Sequence, residues 1–327
     1  GIEHFSADIH PFKLENWGLK LGFSDNHYLS SNIPSDLYRV AMYGNADYLG
    51  DTLDFNFAHI QYQHYQKISI GMFDKRNMSS ISLSYVAGSR GVNARLADSW
   101  MYNDADTVQL TLQGAGYRTE DFSPYWAFNG SGFAFDLDYN FLFENKKGAR
   151  QIINFKIKNL GMIFWNKGTY NYGLDSTVTY TGFDVQDFLM NNQDTSGLSD
   201  FNILDTLGLV EAQGKRYDFL PPELVVQKLG DQASAARLQA IFGFKTILST
   251  DFFPYFFAGA YFKASDNFSL SSRVSYGGFG GVKWGLHANY WIKDRVYLGL
   301  GTFDMLGNIS KKIGFGRGIN FTASFKL

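Results

Sequence analysis

The sequence predicts an all-β fold, a single transmembrane antiparallel β-barrel over residues 1–327, and three observations lead to this prediction. Segments in which apolar and polar residues alternate recur along the chain, as expected of strands with one apolar and one polar face. Aromatic residues make up 17% of the chain, with 31 Phe, 20 Tyr and 6 Trp. No run of about 18 apolar residues is present, so no membrane-spanning helix is expected. A barrel can still have a mean hydropathy of -0.19, because lumen and lipid residues cancel in any window.

The first 36 residues are predicted to form either a first strand or a plug. Residues 17–23 alternate well enough to be the first strand, and residues 36–48 form either a strand or an ordered turn. A hairpin follows, because every second residue of 68–72 and of 81–85 is apolar and a polar turn lies between them. Residues 88–106 are polar enough to predict a longer loop.

The most amphipathic pair of strands lies in the middle of the chain. Residues 133–141 place four aromatic residues and a leucine on one face, and residues 153–157 alternate in the same way. Residues 145–148 have the sequence NKKG, which is typical of a tight turn between such strands. The hairpin places two carboxylates beside two lysines on its polar face. With an arginine from a later strand, these side chains form a predicted lumen-facing polar row: Asp136, Asp138, Asn154, Lys156, Lys158 and Arg273.

Residues 184–216 have no period-two pattern and are predicted to be a loop or helical insertion that caps the barrel. From residue 238 onward the chain is predicted to be almost entirely strand and turn. The closing strand alternates from residue 319, and its lipid face is expected to carry Ile319, Phe321 and Phe325. We expect this strand to pair with residues 17–23 and so to close the barrel.

The alternation by itself does not decide which solvent the apolar faces meet. A soluble β-sandwich would bury these faces in a core, whereas a barrel would expose them to lipid. The polar row could fill the lumen as a cross-strand charge network, or it could line a path for small polar solutes. The many strands, with aromatic residues at their ends, favour the barrel.

Composition narrows the possible partners. A net charge of -2 gives no reason to expect nucleic acid. The absence of cysteine excludes disulfides, a thiolate nucleophile and cysteine-based zinc sites. Because no apolar leader precedes Gly1, an exported protein would be present here in its mature form.

No residues are predicted to be catalytic, and neither a metal nor a cofactor is expected. His59 and His64 lie five residues apart, so on one strand their side chains point to opposite faces. The acidic pairs Asp136/Asp138 and Asp104/Asp106 are far from a complete oxygen shell for calcium. No sequence signature of a metalloprotease or serine hydrolase is present, and the sequence therefore predicts that the protein is not an enzyme.

Three segments carry a resemblance to a known family: residues 132–138 (GFAFDLD), 158–165 (KNLGMIFW) and 219–224 (FLPPEL). Over residues 80–327 the chain resembles outer-membrane barrels of the Bacteroidota, namely the PorP/SprF-like proteins and their relatives, which are distantly FadL-like. The resemblance implies location in the cell outer membrane and a barrel of about fourteen strands, which the chain length accommodates. It also implies that lipid is one partner, and some members act beside the type 9 secretion and gliding machinery.

Two functional hypotheses remain open. The first is a non-enzymatic subunit of a larger envelope complex for secretion, surface-protein assembly or adhesin anchoring, with other envelope proteins as partners. The second is an outer-membrane channel or transporter for small or hydrophobic solutes.

Overall fold

A computed structural model describes residues 2–9, 16–104, 107–119, 127–146, 148–180, 209–248, 252–278, 281–292, 296–309 and 318–325. Within them the chain forms 18 β-strands in one sheet, so the predicted all-β class is confirmed. The strands are β1 (Ile2–Ile9), β2 (Trp17–Asn32), β3 (Thr52–Asp54), β4 (His59–Asp74), β5 (Ser80–Asn103), β6 (Val108–Arg118), β7 (Gly130–Glu144), β8 (Arg150–Trp165), β9 (Tyr170–Tyr180), β10 (Val210–Gln213), β11 (Arg216–Phe219), β12 (Glu223–Leu229), β13 (Leu238–Ile247), β14 (Phe253–Lys263), β15 (Phe268–Gly278), β16 (Lys283–Ile292), β17 (Val296–Thr302) and β18 (Asn320–Phe325). The described α-helices are α1 (Ser35–Tyr43) and α2 (Met305–Ile309), and none of the described helices is long and apolar enough to cross a membrane.

Antiparallel pairing runs from strand to strand across the sheet. The order is β1, β2, β4, β5, β7, β8 and β12, and then β13 to β18 in sequence. Short connections join β4 to β5 and β7 to β8 at one end of the sheet, which we call the turn end. In the second connection, Asn145 accepts a hydrogen bond from the Ala149 N–H at 3.0 Å, and Gly148 adopts a φ of 72° that glycine tolerates. The predicted turn at residues 145–148 is therefore confirmed.

One face of the sheet carries exposed apolar side chains in nearly continuous rows, which we call the apolar belt. Ile70 of β4 lies opposite Leu83 of β5, and Leu83 in turn lies opposite Phe135 of β7. Ile70 and Leu83 are each 58% exposed. The opposite, polar face contains many of the buried polar side chains, including Ser24, Asn26, Lys67 and Asn154. A soluble sandwich would bury the belt under a second sheet, whereas here the belt is exposed. Exposed members of the belt on other strands are Phe23, Phe133, Phe141, Phe242, Phe256, Val274, Tyr276, Tyr290, Leu300 and Phe321.

A second part of the sheet, which we call the extension, projects at the end opposite to the turn end. β5 is 24 residues long, and its second half leaves β7 and pairs with β3 and β6. β6 then pairs with β9, and β9 pairs with β10. The prediction of a loop at residues 88–106 was wrong. Residues 88–103 continue β5, because cross-strand pairing outside the belt does not require an apolar side chain at every second position.

The amino-terminal predictions also need correction. Residues 2–9 form β1 and residues 17–32 form β2, so the described part of 1–36 contains two strands, and residues 17–23 belong to the second. Leu19–Phe23 is flanked by β1 on one edge and by β4 on the other. The expected pairing of β18 with this stretch is therefore wrong. Residues 36–48 were predicted to be a strand or an ordered turn, whereas α1 covers this segment as far as Tyr43.

The predictions for the insertion and the closing strand fall partly on residues that are not described. Residues 181–208 lie outside the described part of the chain, whereas residues 210–213 form β10, a strand, within the segment predicted to be a loop or helix. In β18, Ile319 and Phe321 are exposed, and Phe321 lies opposite Leu300 in the belt. The side chain of Phe325 lies outside the described part.

Candidate functional site

The polar face holds a group of paired charges and amides, which we call the charge network. Its side chains come from β4, β7, β8, β12 and β13. β5 lies between β4 and β7, and β7, β8, β12 and β13 then pair in succession. Five of the six side chains of the predicted polar row lie in or beside it. They are joined by residues that sequence analysis did not select: Lys67, Asn159, Glu223, Gln227 and Lys245.

Asp136 of β7 and Lys67 of β4 form an ion pair that spans β5. Lys67 Nζ lies 2.8 Å from Asp136 Oδ2 and donates a hydrogen bond to Asn159 Oδ1, also at 2.8 Å. The Asn159 N–H donates to Asp136 Oδ1 at 2.7 Å, and Asn159 adopts a φ of 57° at an irregularity between β7 and β8. The carboxylate thus receives hydrogen bonds at both oxygens, which offsets the cost of burying it beside a nearly inaccessible lysine.

Asp138 lies two residues away and pairs with Lys156, its direct neighbour in β8. The distance from Lys156 Nζ to Asp138 Oδ2 is 2.7 Å. Asn154 Nδ2 donates to Asp138 Oδ1 at 2.6 Å, and Asn154 Oδ1 accepts from Gln227 Nε2 of β12 at 3.0 Å. This set of contacts links three strands through side chains in addition to the backbone ladder.

The remaining two residues of the predicted row behave differently. Lys158 lies opposite Glu223 of β12, and Glu223 Oε2 is 2.7 Å from Lys245 Nζ of β13. Arg273 lies on β15, beyond β13 and β14, and is not part of the network. Its guanidinium carbon lies 4.4 Å from the ring centre of Phe303 and 5.3 Å from that of Phe257, so it is held by cation–π contacts.

Next to the charge network, toward the extension, the polar face becomes apolar over a small area that we call the Trp165 cluster. Trp165 is 1% exposed, and its Nε1–H donates to Asp218 Oδ2 at 2.9 Å. Its ring lies 6.4 Å from that of Tyr117 and close to Gly88 and Gly91. The cluster fills the space next to the charge network and joins the main sheet to the extension. Its buried members are Tyr65, Val86, Tyr117, Ala134, Ile163, Trp165 and Leu220.

The extension has two distinct faces. One packs Leu53, Phe55 and Met101 into a small apolar cluster with residues of α1 and β6. The other carries a row of polar side chains, the polar ladder, in which Thr111 and Thr177 are hydrogen bonded at 3.0 Å. At the edge of this area, Arg118 Nε donates to the Tyr172 hydroxyl at 2.5 Å, which raises the pKa of Arg118. The members of the polar ladder are Gln109, Thr111, Gln113, Asp175, Thr177 and Thr179.

A further polar cluster, which sequence analysis missed, lies on the same face as the belt. Asp25 and His27 of β2 lie opposite Gln66 and His64 of β4. The signal in the sequence was that the polar residues Asp25, His27, His64 and Gln66 continue the parity of the apolar Phe23 and Ile68. Pairing of the two strands was required to bring the four side chains together.

Residues 77–300 match the family described as "Family of unknown function (DUF5723)". No curated protein and no solved structure matches the chain. The match covers more than half of the 327 residues, and it includes β7, β8, β12 and β13 of the charge network together with Trp165. This chain therefore belongs to the DUF5723 family.

Proposed function

We propose that the protein is an outer-membrane β-barrel, located in the cell outer membrane, that acts as a non-enzymatic subunit of a larger cell-envelope complex. Such a complex would serve secretion, surface-protein assembly or adhesin anchoring, as the resemblance to PorP/SprF-like proteins of the Bacteroidota and to type 9 secretion components implies. The observation that carries the membrane part of the proposal is the apolar belt. Soluble monomers rarely expose contiguous apolar patches larger than a few hundred Å², and lipid is the solvent in which such a belt is stable.

Replacing Leu83 with arginine tests the lipid contact. Leu83 lies in the middle row of the belt, and an arginine at the bilayer midplane of a barrel costs about 2–4 kcal/mol. We expect Leu83→Arg to lower the free energy of unfolding by that amount when the protein is unfolded by urea from lipid vesicles.

Thr179→Arg, at an exposed position of the polar ladder, is the matched control and should change stability by less than about 0.5 kcal/mol. If Leu83→Arg is as mild as Thr179→Arg, the belt does not contact lipid and the barrel proposal fails. Recovery of the protein in the soluble fraction without detergent would have the same consequence.

The extension supports the proposed role in a complex. It projects beyond the belt at the end opposite to the short turns, where outer-membrane barrels have their extracellular loops. Its own apolar cluster stabilises it, while its polar ladder remains at the surface. A structured sheet in this position is suited to contact other proteins, since edge strands and paired polar side chains provide directional hydrogen bonds.

Site-specific photo-crosslinking tests this role in intact cells. A photoreactive amino acid at Thr177 is expected to give a discrete protein adduct, whereas the same group at Ile70 in the belt is expected to give none. Adducts at neither Thr177 nor Thr179 would count against a partner at the extension.

A specific feature favours the alternative of a transporter for hydrophobic solutes. An apolar groove of about 620 Å³ is lined by aromatic side chains of β13, β14 and β15, including Phe242, Phe244, Phe256 and Phe257. Phe257 lies opposite Gly243, where a Cβ would come within 2.7 Å of the Phe257 ring, so the glycine leaves room for this aromatic side chain. If the protein binds a fluorescent fatty acid and the Phe256→Asp variant does not, the transporter function is favoured over the role as a complex subunit.

A further inference from the structure

Four polar side chains form a compact cluster at the edge of the apolar belt, which we call the histidine cluster. Asp25 and Gln66 are direct neighbours across β2 and β4, and so are His27 and His64. Asp25 comes two residues after Phe23, and Gln66 comes two residues before Ile68, so the cluster shares the belt's face. Asp25, His64 and Gln66 are buried, and the His27 side chain is 33% exposed.

Three potential metal ligands in the cluster lie close together. One ligand atom from each of Asp25, His27 and His64 lies within 4.8 Å of the others. His64 Nε2 is 2.8 Å from Asp25 Oδ1, and His27 Nε2 is 3.9 Å from Asp25 Oδ2. Ligands about 2.0–2.1 Å from a tetrahedral zinc ion lie about 3.3 Å from one another. The two observed distances to Asp25, 2.8 Å and 3.9 Å, are respectively shorter and longer than this separation between ligands.

The hydrogen bond of His27 Nδ1 leaves the other ring nitrogen, Nε2, in position to bind a metal ion. Its Nδ1 lies 3.0 Å from the Tyr62 hydroxyl. When Nδ1 carries the proton and donates to Tyr62, Nε2 keeps its lone pair and faces Asp25. An outer hydrogen bond that sets the tautomer of a histidine in this way is a regular feature of protein metal sites.

Gln66 can supply a fourth ligand atom. Its amide nitrogen lies 3.0 Å from His64 Nε2 and 3.3 Å from Asp25 Oδ1, and its Oε1 accepts from Ser89 at 2.8 Å. Rotating the amide by half a turn exchanges its oxygen and nitrogen in nearly the same space. The oxygen would then face His64 Nε2 and Asp25 Oδ1, while the nitrogen could still donate to the Ser89 hydroxyl.

We propose that Asp25, His27 and His64 bind one divalent transition-metal ion of the zinc class, with Gln66 in reach as an oxygen ligand. Imidazole and carboxylate groups suit such ions. The two imidazole rings are stacked at 4.0 Å between centres, with an angle of 10° between their planes. Binding therefore turns one ring out of the stack, because a metal lies in the plane of each imidazole that binds it. The partly exposed His27 is the ring that tilts, with its Nδ1 remaining at the Tyr62 hydroxyl, and it provides the route of entry.

The charges around the cluster make Asp25 essential to the site. Arg90 lies opposite His64 on β5 and brings a positive charge close to the bound ion. The Asp25 carboxylate is the anionic ligand that offsets the charge of the dication. The bound ion would link β2 to β4 by coordinating side chains of both strands. The metal site does not depend on whether the protein acts as a complex subunit or as a transporter.

Zinc titration of the full chain in detergent micelles, after chelator treatment and dialysis, tests the proposal by calorimetry. The wild-type protein is expected to bind one Zn²⁺ per chain. His27→Gln, His64→Gln and Asp25→Asn each remove a ligand and should weaken binding at least about 100-fold. Tyr62→Phe removes the hydrogen-bonding partner of a ligand, which usually costs about 10- to 100-fold, and should weaken binding about 10-fold. His59→Gln is the matched control, since His59 lies on β4 but on the opposite face, and it should bind zinc like the wild type.

Two results would overturn the site. One is wild-type zinc uptake no greater than that of the Asp25→Asn/His27→Gln double variant. The other is unchanged zinc affinity in both His27→Gln and Tyr62→Phe. These two variants alter only a partly exposed ring and a single hydroxyl, so they still test the site if His64→Gln does not fold. Binding of Co²⁺ should add visible absorption bands in the wild type and in His59→Gln but not in His27→Gln.

Discussion

Replacing Lys67 with methionine is expected to lower the free energy of unfolding by about 3–5 kcal/mol, because it leaves the Asp136 carboxylate without its cation. Lys67 is only 7% exposed and contacts both Asp136 and Asn159 at 2.8 Å. Methionine retains the packing of the aliphatic stem but neither hydrogen bond. The Asp136 side chain is 22% exposed, so partial solvation should keep the loss near the lower end of the range. Urea titration in detergent micelles, followed by tryptophan fluorescence, measures it.

The double variant Lys67→Met/Asp136→Asn should recover most of the lost stability. The amide removes the uncompensated charge and keeps an acceptor for the Asn159 N–H, which donates to Asp136 at 2.7 Å in the wild type. Lys20→Met is the control, since Lys20 Nζ contacts a hydroxyl, that of Ser80, at 3.2 Å. This change should cost less than about 1.5 kcal/mol. A Lys67→Met variant as stable as Lys20→Met would mean that the charge network does not stabilise the sheet.

Trp165→Ala is expected to destabilise the protein by about 3–5 kcal/mol, the usual cost of truncating a large buried aromatic residue. The indole is 1% exposed within the Trp165 cluster, and its loss also removes the hydrogen-bond donor to Asp218. Trp165→Phe keeps much of the packing but removes the hydrogen bond to Asp218, which retains Arg216 at 3.7 Å, and should cost about 1–3 kcal/mol. Equilibrium unfolding followed by circular dichroism is suitable, because it does not depend on the fluorescence of the residue being replaced.

The glycines beside the indole provide an internal check on this prediction. A Cβ at Gly91 would lie 2.8 Å from the Trp165 ring and 3.0 Å from the Tyr117 ring. Gly91→Ala should therefore be destabilising in the wild type but markedly less so in the Trp165→Ala background, where the cavity accepts the methyl group. Additive effects of the two changes would indicate that Trp165 does not occupy the space beside Gly91.

The hairpin of β7 and β8 could be predicted from sequence because its determinants are local. Period-two alternation decides which side chains share a face, and a turn of known length then sets the register. These two facts place Asp138 beside Lys156, as observed. The partner of Asp136, in contrast, lies outside this hairpin and cannot be predicted from alternation within it. Lys67 is on β4, and it reaches Asp136 of β7 only because both strands pair with β5 on opposite edges.

The wrong prediction of a loop at residues 88–106 also arose because distant parts of the chain determine the local structure. A strand in the belt must alternate because one face is apolar, but β5 continues beyond the belt into the extension, where the constraint is absent. Gly88 and Gly91 look like loop residues in the sequence, yet each leaves room for the Trp165 ring on the polar face. Their role follows from a side chain more than 70 positions away along the chain.

The sequence alone determined the all-β class and the division of most strands into an apolar and a polar face, since both follow from alternation along a single strand. Which polar residues contact one another depends on the pairing of strands in three dimensions. The register of β2 against β4 assembles Asp25, His27, His64 and Gln66, and the shared pairing through β5 brings Lys67 to Asp136. These contacts depend on hydrogen-bonded ladders between strands distant in sequence, and no pattern within one strand specifies its neighbour.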